Sequence, residues 1–417
     1  MQPSEKEMVA NETPTPESGS PQVPVADAKL VLDSASVATP LWGLEKDTGG
    51  QRLRLATVVM KASIQPTPPP EVPPVKPMTF AIDFTPEHSQ INRMNRTLQA
   101  VLAKQYGTLP LGSQVSLHLG EETAYLPVRD RDALSGAAAV LMGAALSGNA
   151  PAGIVIGKLE MDGSFKSPPD LWDRLRALSG GPGGRLVVPA DAADLMPWLL
   201  ALEEPEFFLK YDVLLASSYP ELVERSAAVT ASPLTEVLAR FQDVRAKGAT
   251  LPIGQYVTNR FVRQRLVELA AEAPYLVSPK LLAIQGAGER PTRIPRKILA
   301  FELRGAMQPL SWLRGKAAAD IDLALLDKSY ELTRAHVEKL ERYAEDQDLL
   351  ARVREMTTTL RAFSRAARFG ANRDRGPEMT AEAFVEMRES ISTTLVELNA
   401  IIGEVEDADA EADADGQ

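Results

Sequence analysis

The chain reads as an α+β domain followed by an all-α helical domain, between two flanks too polar to fold. Three observations predict this. From about residue 39 to 228, short alternating strands are interleaved with apolar helices. From Ser232 onward apolar residues recur only at three- and four-residue spacing. The two ends, residues 1–38 and 404–417, carry few large apolar side chains and cannot bury enough surface to offset the entropy of ordering. The expected division is therefore a flexible arm (1–38), an α+β domain (39–228), a helical domain (229–403) and an acidic tail (404–417).

Within the first domain, Arg52 to Met60 (RLRLATVVM) reads as a strand. Gln65 to Pro77 holds seven prolines, which deny both helix and ladder bonds, and reads as an extended loop. Met78 to Phe84 alternates as a strand. Glu87 to Tyr106 then reads as a helix with Ile91, Met94, Leu98, Val101 and Leu102 in one stripe. Gly112 to Leu119 alternates again, which puts His118 on the solvent face of that strand. After the Asp132–Leu146 helix come a strand at Gly153 to Leu159, an Asp162-Gly163 turn, a helix from Pro168 (PPDLWDRLRAL), and a strand at Arg185 to Pro189. Asp191 to Leu202 reads as a helix, Phe207 to Ser217 as the last strand, and Tyr219 to Ser226 as the closing helix.

In the second domain, Ser232 caps a helix over Pro233 to Lys247, and Thr258 to Ala273 repeats the pattern with Phe261, Val262, Leu266 and Leu269 on its inner face. A connector runs through Pro279, Pro291 and Pro295. Leu326, Tyr330, Thr333, Val337, Leu340 and Ala344 form a heptad seam, reset after Asp346 to Val353, Met356, Leu360 and Phe363. Phe384, Met387, Ile391, Leu395, Leu398 and Ile402 make a further stripe. Packing within the chain is the expectation, with a homo-oligomer as the other arrangement such a seam allows.

The chemistry concentrates at Asp132 to Leu146 (DALSGAAAVLMGAAL), where Ser135 stands among residues small enough for another backbone to approach closely. As the opening of a helix, this stretch would set Ser135 beside amides able to hold an anion, a place for a nucleophile. The simpler role of Ser135 there is a helix cap. The nearby Glu121-Glu122 pair and the Arg129, Asp130, Arg131, Asp132 cluster read as a charged loop at the mouth of that site.

The order of these elements resembles the proteolytic domain of Lon-type peptidases. The shared layout is a strand pair, a helix, a strand, a serine helix of small residues, a strand ending in glycine, a hairpin, a helix and a strand running into Val188-Pro189. It covers roughly Ser36 to Ala228. The family's Gly-Pro-Ser-Ala-Gly nucleophile motif falls on Ala133-Leu134-Ser135-Gly136-Ala137, its Thr-Gly-Glu on Ile156-Gly157-Lys158, and its base-bearing helix on Asp170 to Leu175. The resemblance implies a Lon proteolytic-domain-like fold with Ser135 in the nucleophile's place and Arg174 in the lysine's.

A guanidinium stays protonated where an amine can be desolvated to neutrality, so a Ser135/Arg174 pair does not reproduce a Ser/Lys dyad. Lys158 and Lys166 are the candidate substitute bases. Two functions follow. One is a peptidase-like protein with a lost dyad, acting as a scaffold or protein-binding module. The other is an ATP-independent serine endopeptidase using Ser135 with a substitute lysine, for a polypeptide substrate. No GxxxxGK[ST] phosphate loop occurs, so the ATPase module of the family is not expected here.

Composition narrows the partners. The 417 residues include no cysteine, which removes disulfides, thiol nucleophiles and thiolate metal sites. Net charge is -11, but residues 404–415 hold seven acids and no base, so the remainder carries -4. A near-neutral body argues against a broad nucleic-acid surface. No apolar run has the length of a membrane span and no leader is visible, so the cytoplasm is the expected compartment. With three histidines and no ligand-like spacing, neither a metal nor another cofactor is expected.

Overall fold

The computed structural model describes residues 30–403, apart from short stretches at 33, 48–49, 67–76, 83–88, 119–123, 126, 204–205, 229–231, 249–250, 290, 314 and 371–375. Most of the amino-terminal arm, most of the proline-rich segment, His88, Glu121-Glu122 and the acidic tail lie outside the described residues.

β1 (Ser34–Asp47) and β2 (Gly50–Pro66) form a long antiparallel hairpin, in register from Ser34 opposite Ser63 to Asp47 opposite Gly50. β1 thus starts before the expected boundary at 38. The Val31 amide donates to the Ala145 carbonyl at 2.7 Å. Next come β3 (Thr79–Ile82), α1 (Ser89–Tyr106), β4 (Ser113–His118) and the short β5 (Ala124–Tyr125). α2 (Pro127–Ser147) is followed by β6 (Ile154–Val155), the β7 (Lys158–Leu159) and β8 (Phe165–Lys166) hairpin, and α3 (Leu171–Ala177). β9 (Gly184–Pro189), a 3-10 turn at Ala190–Leu195, α4 (Met196–Glu203), α5 (Glu206–Lys210), β10 (Tyr211–Ala216) and α6 (Tyr219–Ser226) complete this half.

The sheet is mixed, in the order β10-β9-β6-β1-β2-β4-β3, with β5 beside β1. β10, β9, β6 and β1 are parallel, β2 runs against β1 and β4, and β3 is parallel to β4. Both outer strands are capped by side chains, which answers the unpaired edge that invites aggregation. At β3, Asn95 of α1 accepts from the Phe80 amide and donates to the Phe80 carbonyl at 2.7 and 2.9 Å. At β10, Ser278 Oγ accepts from the Val213 amide and donates to the Tyr211 carbonyl.

α2 is apolar all round and buried from Ala137 to Met142, as a helix covered on every side must be. It starts at Pro127, so Ser135 lies two turns inside it and does not open it. The amides at the first turn of α2 therefore belong to residues well before Ser135, and Asp130 sits in that first turn instead of a loop. A second difference is at Phe207 to Lys210, which is helical. Phe207 stacks at 4.8 Å on Tyr211 and both pack inward, so apolar content alone did not distinguish helix from strand there.

The carboxyl-terminal half is helical: α7 (Ser232–Gly248), α8 (Ile253–Thr258), α9 (Arg260–Glu272), α10 (Val277–Ala287), α11 (Arg296–Met307), α12 (Leu323–Leu340), α13 (Gln347–Gly370) and α14 (Gly376–Ile402). The stretch expected to be a proline-marked connector is two buried helices. Pro279 sits in the first turn of α10, and Pro295 caps α11, both places where a missing amide is harmless. Leu326, Thr333, Val337, Leu340 and Ala344 of the seam are buried within this chain, against neighbouring helices that include α11 and α13.

Contacts link the two expected domains. The Leu215 amide donates to the Tyr275 carbonyl, α10 lies along β10 and α5, and one continuous apolar core runs from Val37 to Ile402. The helical half meets the first through α10, at the β10 edge and against α4 and α5, and through α11 against α3.

Candidate functional site

α2 docks on β7 through its smallest residues. The Gly136 amide donates to the Gly157 carbonyl at 3.2 Å, and a Cβ on Gly136 would lie 2.5 Å from that oxygen and 2.7 Å from the Phe165 ring. Glycine is required by space here, as the close-approach reading of the small-residue run anticipates. Ser135, 5% exposed, fills the next contact. Its Oγ donates to the Asp132 carbonyl at 2.7 Å and accepts from the Leu159 amide at 2.8 Å. The first bond is the i−3 back-bond of a hydroxyl inside a helix. The second satisfies a β7 amide.

Arg174 is 1% exposed and fully engaged elsewhere. Its Nε donates to Asp170 at 2.8 Å, one terminal nitrogen to Asp130 at 2.5 Å, and the other to the Pro40 carbonyl. Trp42 closes the network. Its amide donates to the second Asp130 oxygen and its indole Nε1 to the second Asp170 oxygen, both at 2.7 Å. Two carboxylates and one guanidinium thus tie β1, α2 and α3 together. Burial pushes the Asp130 carboxyl up to about 6 against the pull of Arg174. Burial also opposes the charge on Arg174, but Asp170 and Asp130 outweigh it and hold the guanidinium above its ordinary value. In hydrogen-bonding terms, Ser135 and Arg174 belong to two separate networks.

Lys158 and Lys166 face one another across the β7–β8 hairpin. Lys158 precedes the residue whose amide meets Ser135, but its Nζ lies 2.9 Å from Glu160. Lys166 is exposed. The Asp162-Gly163 turn is formed as expected, with Gly163 at φ +90 and Asp162 accepting from the Ser164 amide. His118 is exposed and its Nε2 meets Ser63 Oγ at 2.7 Å.

A second buried polar centre escaped the sequence reading. Glu302 of α11, 3% exposed, accepts from Trp172 Nε1 at 2.7 Å and from Arg176 Nε at 2.8 Å, and meets His336 Nε2 at 3.3 Å. Arg304 reaches Asp173 at 2.5 Å. Burial opposes the Glu302 charge, but His336, Arg176 and Trp172 more than offset it, holding the carboxyl below its usual range. These contacts fasten α3 to α11 and α12. The one signal was Glu302 itself, an acid between Phe301 and Leu303 in an apolar run.

Among the described residues no cluster of three His, Asp or Glu side chains is arranged to hold a metal ion, and no helix is long and apolar enough to cross a membrane. No protein-family model matches this chain, and no curated protein matches it.

Proposed function

We propose that the chain is a protein-binding scaffold built on a Lon-peptidase-like frame whose Ser/Lys dyad is lost. The observation that carries this reading is the double engagement of Ser135. A nucleophile needs a base within hydrogen-bond reach and a hydroxyl aimed at substrate. Ser135 Oγ instead gives its proton to a carbonyl of its own helix, and its lone pair holds the Leu159 amide. Arg174, in the lysine's place, is committed to two carboxylates and is too basic to take a proton. Asp130 and Asp170 make that commitment a part of the packing between β1, α2 and α3. The chain keeps the layout of a peptidase and uses the two positions as struts.

The test is labelling with a fluorophosphonate probe, beside a casein degradation assay, on the wild type and on Ser135→Ala. Neither labelling nor casein loss is expected. Labelling that disappears in Ser135→Ala would overturn the scaffold reading in favour of a serine endopeptidase, with Lys158 the first base to replace.

A further inference from the structure

We propose that the outward face of α14 is the docking surface of this protein, and that its occupant is a lysine- and arginine-rich helical segment of a partner protein. The proposal rests on the scaffold reading and gives it a place.

Charge is the first observation. Glu378, Glu382, Glu386 and Glu389 stand on one side of α14, all exposed, and none has a basic partner among the described residues. The other charges of this helix are engaged on the α13 side. Glu397 pairs with Arg352, and Arg388, the one base of α14, lies over the Phe384 ring, which packs on Phe363. Elsewhere in the helical half exposed acids are matched, as Glu331 and Glu338 are by Arg334, Glu341 by Arg354 and Asp327 by Arg368. Acids three or four residues apart on a helix repel one another, so this row works against the helix that carries it. Residues 404–415, which follow α14 and lie outside the described residues, add seven acids and no base.

Shape is the second. α14 buries Met387, Leu398 and Ile402 on its inner side, and its 27 residues make a rod about 40 Å long. On the outer side Val385 and Val396, 53% and 57% exposed, lie in one row, three turns apart, with Glu389 and Ser392 between them. Thr393 and Ala400 beside that row are exposed and small, which lets a second helix come close. Two apolar anchors three turns apart on a straight face are the footprint of a helix lying along it.

Selection is the third. The unmatched row repels a second copy of the same face, an anionic lipid surface and a phosphate backbone alike. A basic chain is the class it attracts, and it speeds that encounter. The face is also preorganised. The Arg352–Glu397 pair and the Phe363–Phe384 contact hold α14 on α13, so little ordering of α14 is needed when a partner binds.

The experiment is fluorescence anisotropy with the full chain and a fluorescein-labelled helical peptide of about 20 residues, built of Ala and Lys with two Leu eleven positions apart on one face. Saturable binding at low salt, weakening as salt is raised, is expected. Val385→Ser, and Glu382→Lys combined with Glu386→Lys, all at exposed positions, should each weaken it about tenfold or more while leaving the melting temperature unchanged. A peptide of the same composition with its two Leu on opposite faces should bind at least about tenfold less well. Absence of saturable binding, or binding indifferent to these substitutions, overturns the proposal. So does equal binding of the rearranged peptide, which would reduce the effect to general attraction between polyions. A dimer in sedimentation velocity that Val385→Ser dissolves would make the occupant a second copy and overturn it as well. Failure here with no fluorophosphonate labelling of Ser135 leaves the scaffold reading intact and removes only this surface.

Discussion

The Leu159 amide donates to Ser135 Oγ at 2.8 Å, across the contact where α2 lies on β7. The hydroxyl replaces the strand partner that this amide lacks, and it does so from a helix interior, where its own proton is returned to the Asp132 carbonyl. A residue that reads as a nucleophile or a cap is thus a joint between helix and hairpin.

Replacing Ser135 by Ala leaves the Leu159 amide buried without an acceptor. The expected loss is about 1–3 kcal/mol of unfolding free energy, the cost of an unsatisfied buried donor. Urea denaturation followed by far-UV circular dichroism checks it. A neutral effect would mean that the amide finds water, and that the joint is not structural.

Gly136→Ala sets two effects against each other. Alanine favours a helix interior by about 1 kcal/mol over glycine. Its methyl would stand 2.5 Å from the Gly157 carbonyl oxygen, with the Phe165 ring behind, and overpacking of this kind costs about 1–3 kcal/mol. Net destabilisation is expected in thermal melts. The comparison variant is Gly180→Ala, where a Cβ meets nothing within 4 Å and no such loss is expected.

Arg174→Met removes a guanidinium from between two carboxylates that are mostly buried. Breaking a buried ion pair from one side leaves uncompensated charge and costs about 3–5 kcal/mol. The double change Arg174→Met with Asp130→Asn should recover part of that loss, because one of the stranded charges is then gone. A double-mutant cycle by chemical denaturation measures the coupling, and additive losses would refute the shared network.

Asp130 gives the network a pH signature. Its carboxyl is raised to about 6 by burial, so in the folded chain it holds its proton over a range where the unfolded chain has released it. The stability this group contributes is full below about pH 4 and is lost as pH rises through 6. The Tm difference between wild type and Asp130→Asn should therefore shrink from pH 4 to pH 7. A difference that grows with pH would show that Arg174 depresses the carboxyl instead.

Glu302 has the opposite sign. Its carboxyl is held below the usual range despite burial, so its contribution is present above about pH 4.5 and is lost as pH falls through the folded value. Glu302→Gln should cost stability at neutral pH, and that cost should diminish on acidification below pH 4.5. Scanning calorimetry at both pH values distinguishes this from a pH-independent packing loss.

Local sequence determined much of this architecture. Alternation marked β3 and β4, a short apolar run marked β9, the three- and four-residue stripes marked α1, α7, α12, α13 and α14, and the small residues beside Ser135 marked a close backbone approach. These signals are legible because each depends on one segment facing one side. The tertiary structure decided what depends on a distant partner. Pro127 begins α2 two turns before Ser135, because Asp130 is buried by Arg174 and Trp42, which come from two other elements. Pro279 enters α10, because a first-turn proline loses no bond and Ser278 meets β10. The role of Arg174 is set by Asp130, Asp170 and Pro40. Asp170, four residues away, is a local helix partner, but Asp130 and the Pro40 carbonyl lie 44 and 134 residues away, and no local pattern carries the energy of polar groups brought together only by folding.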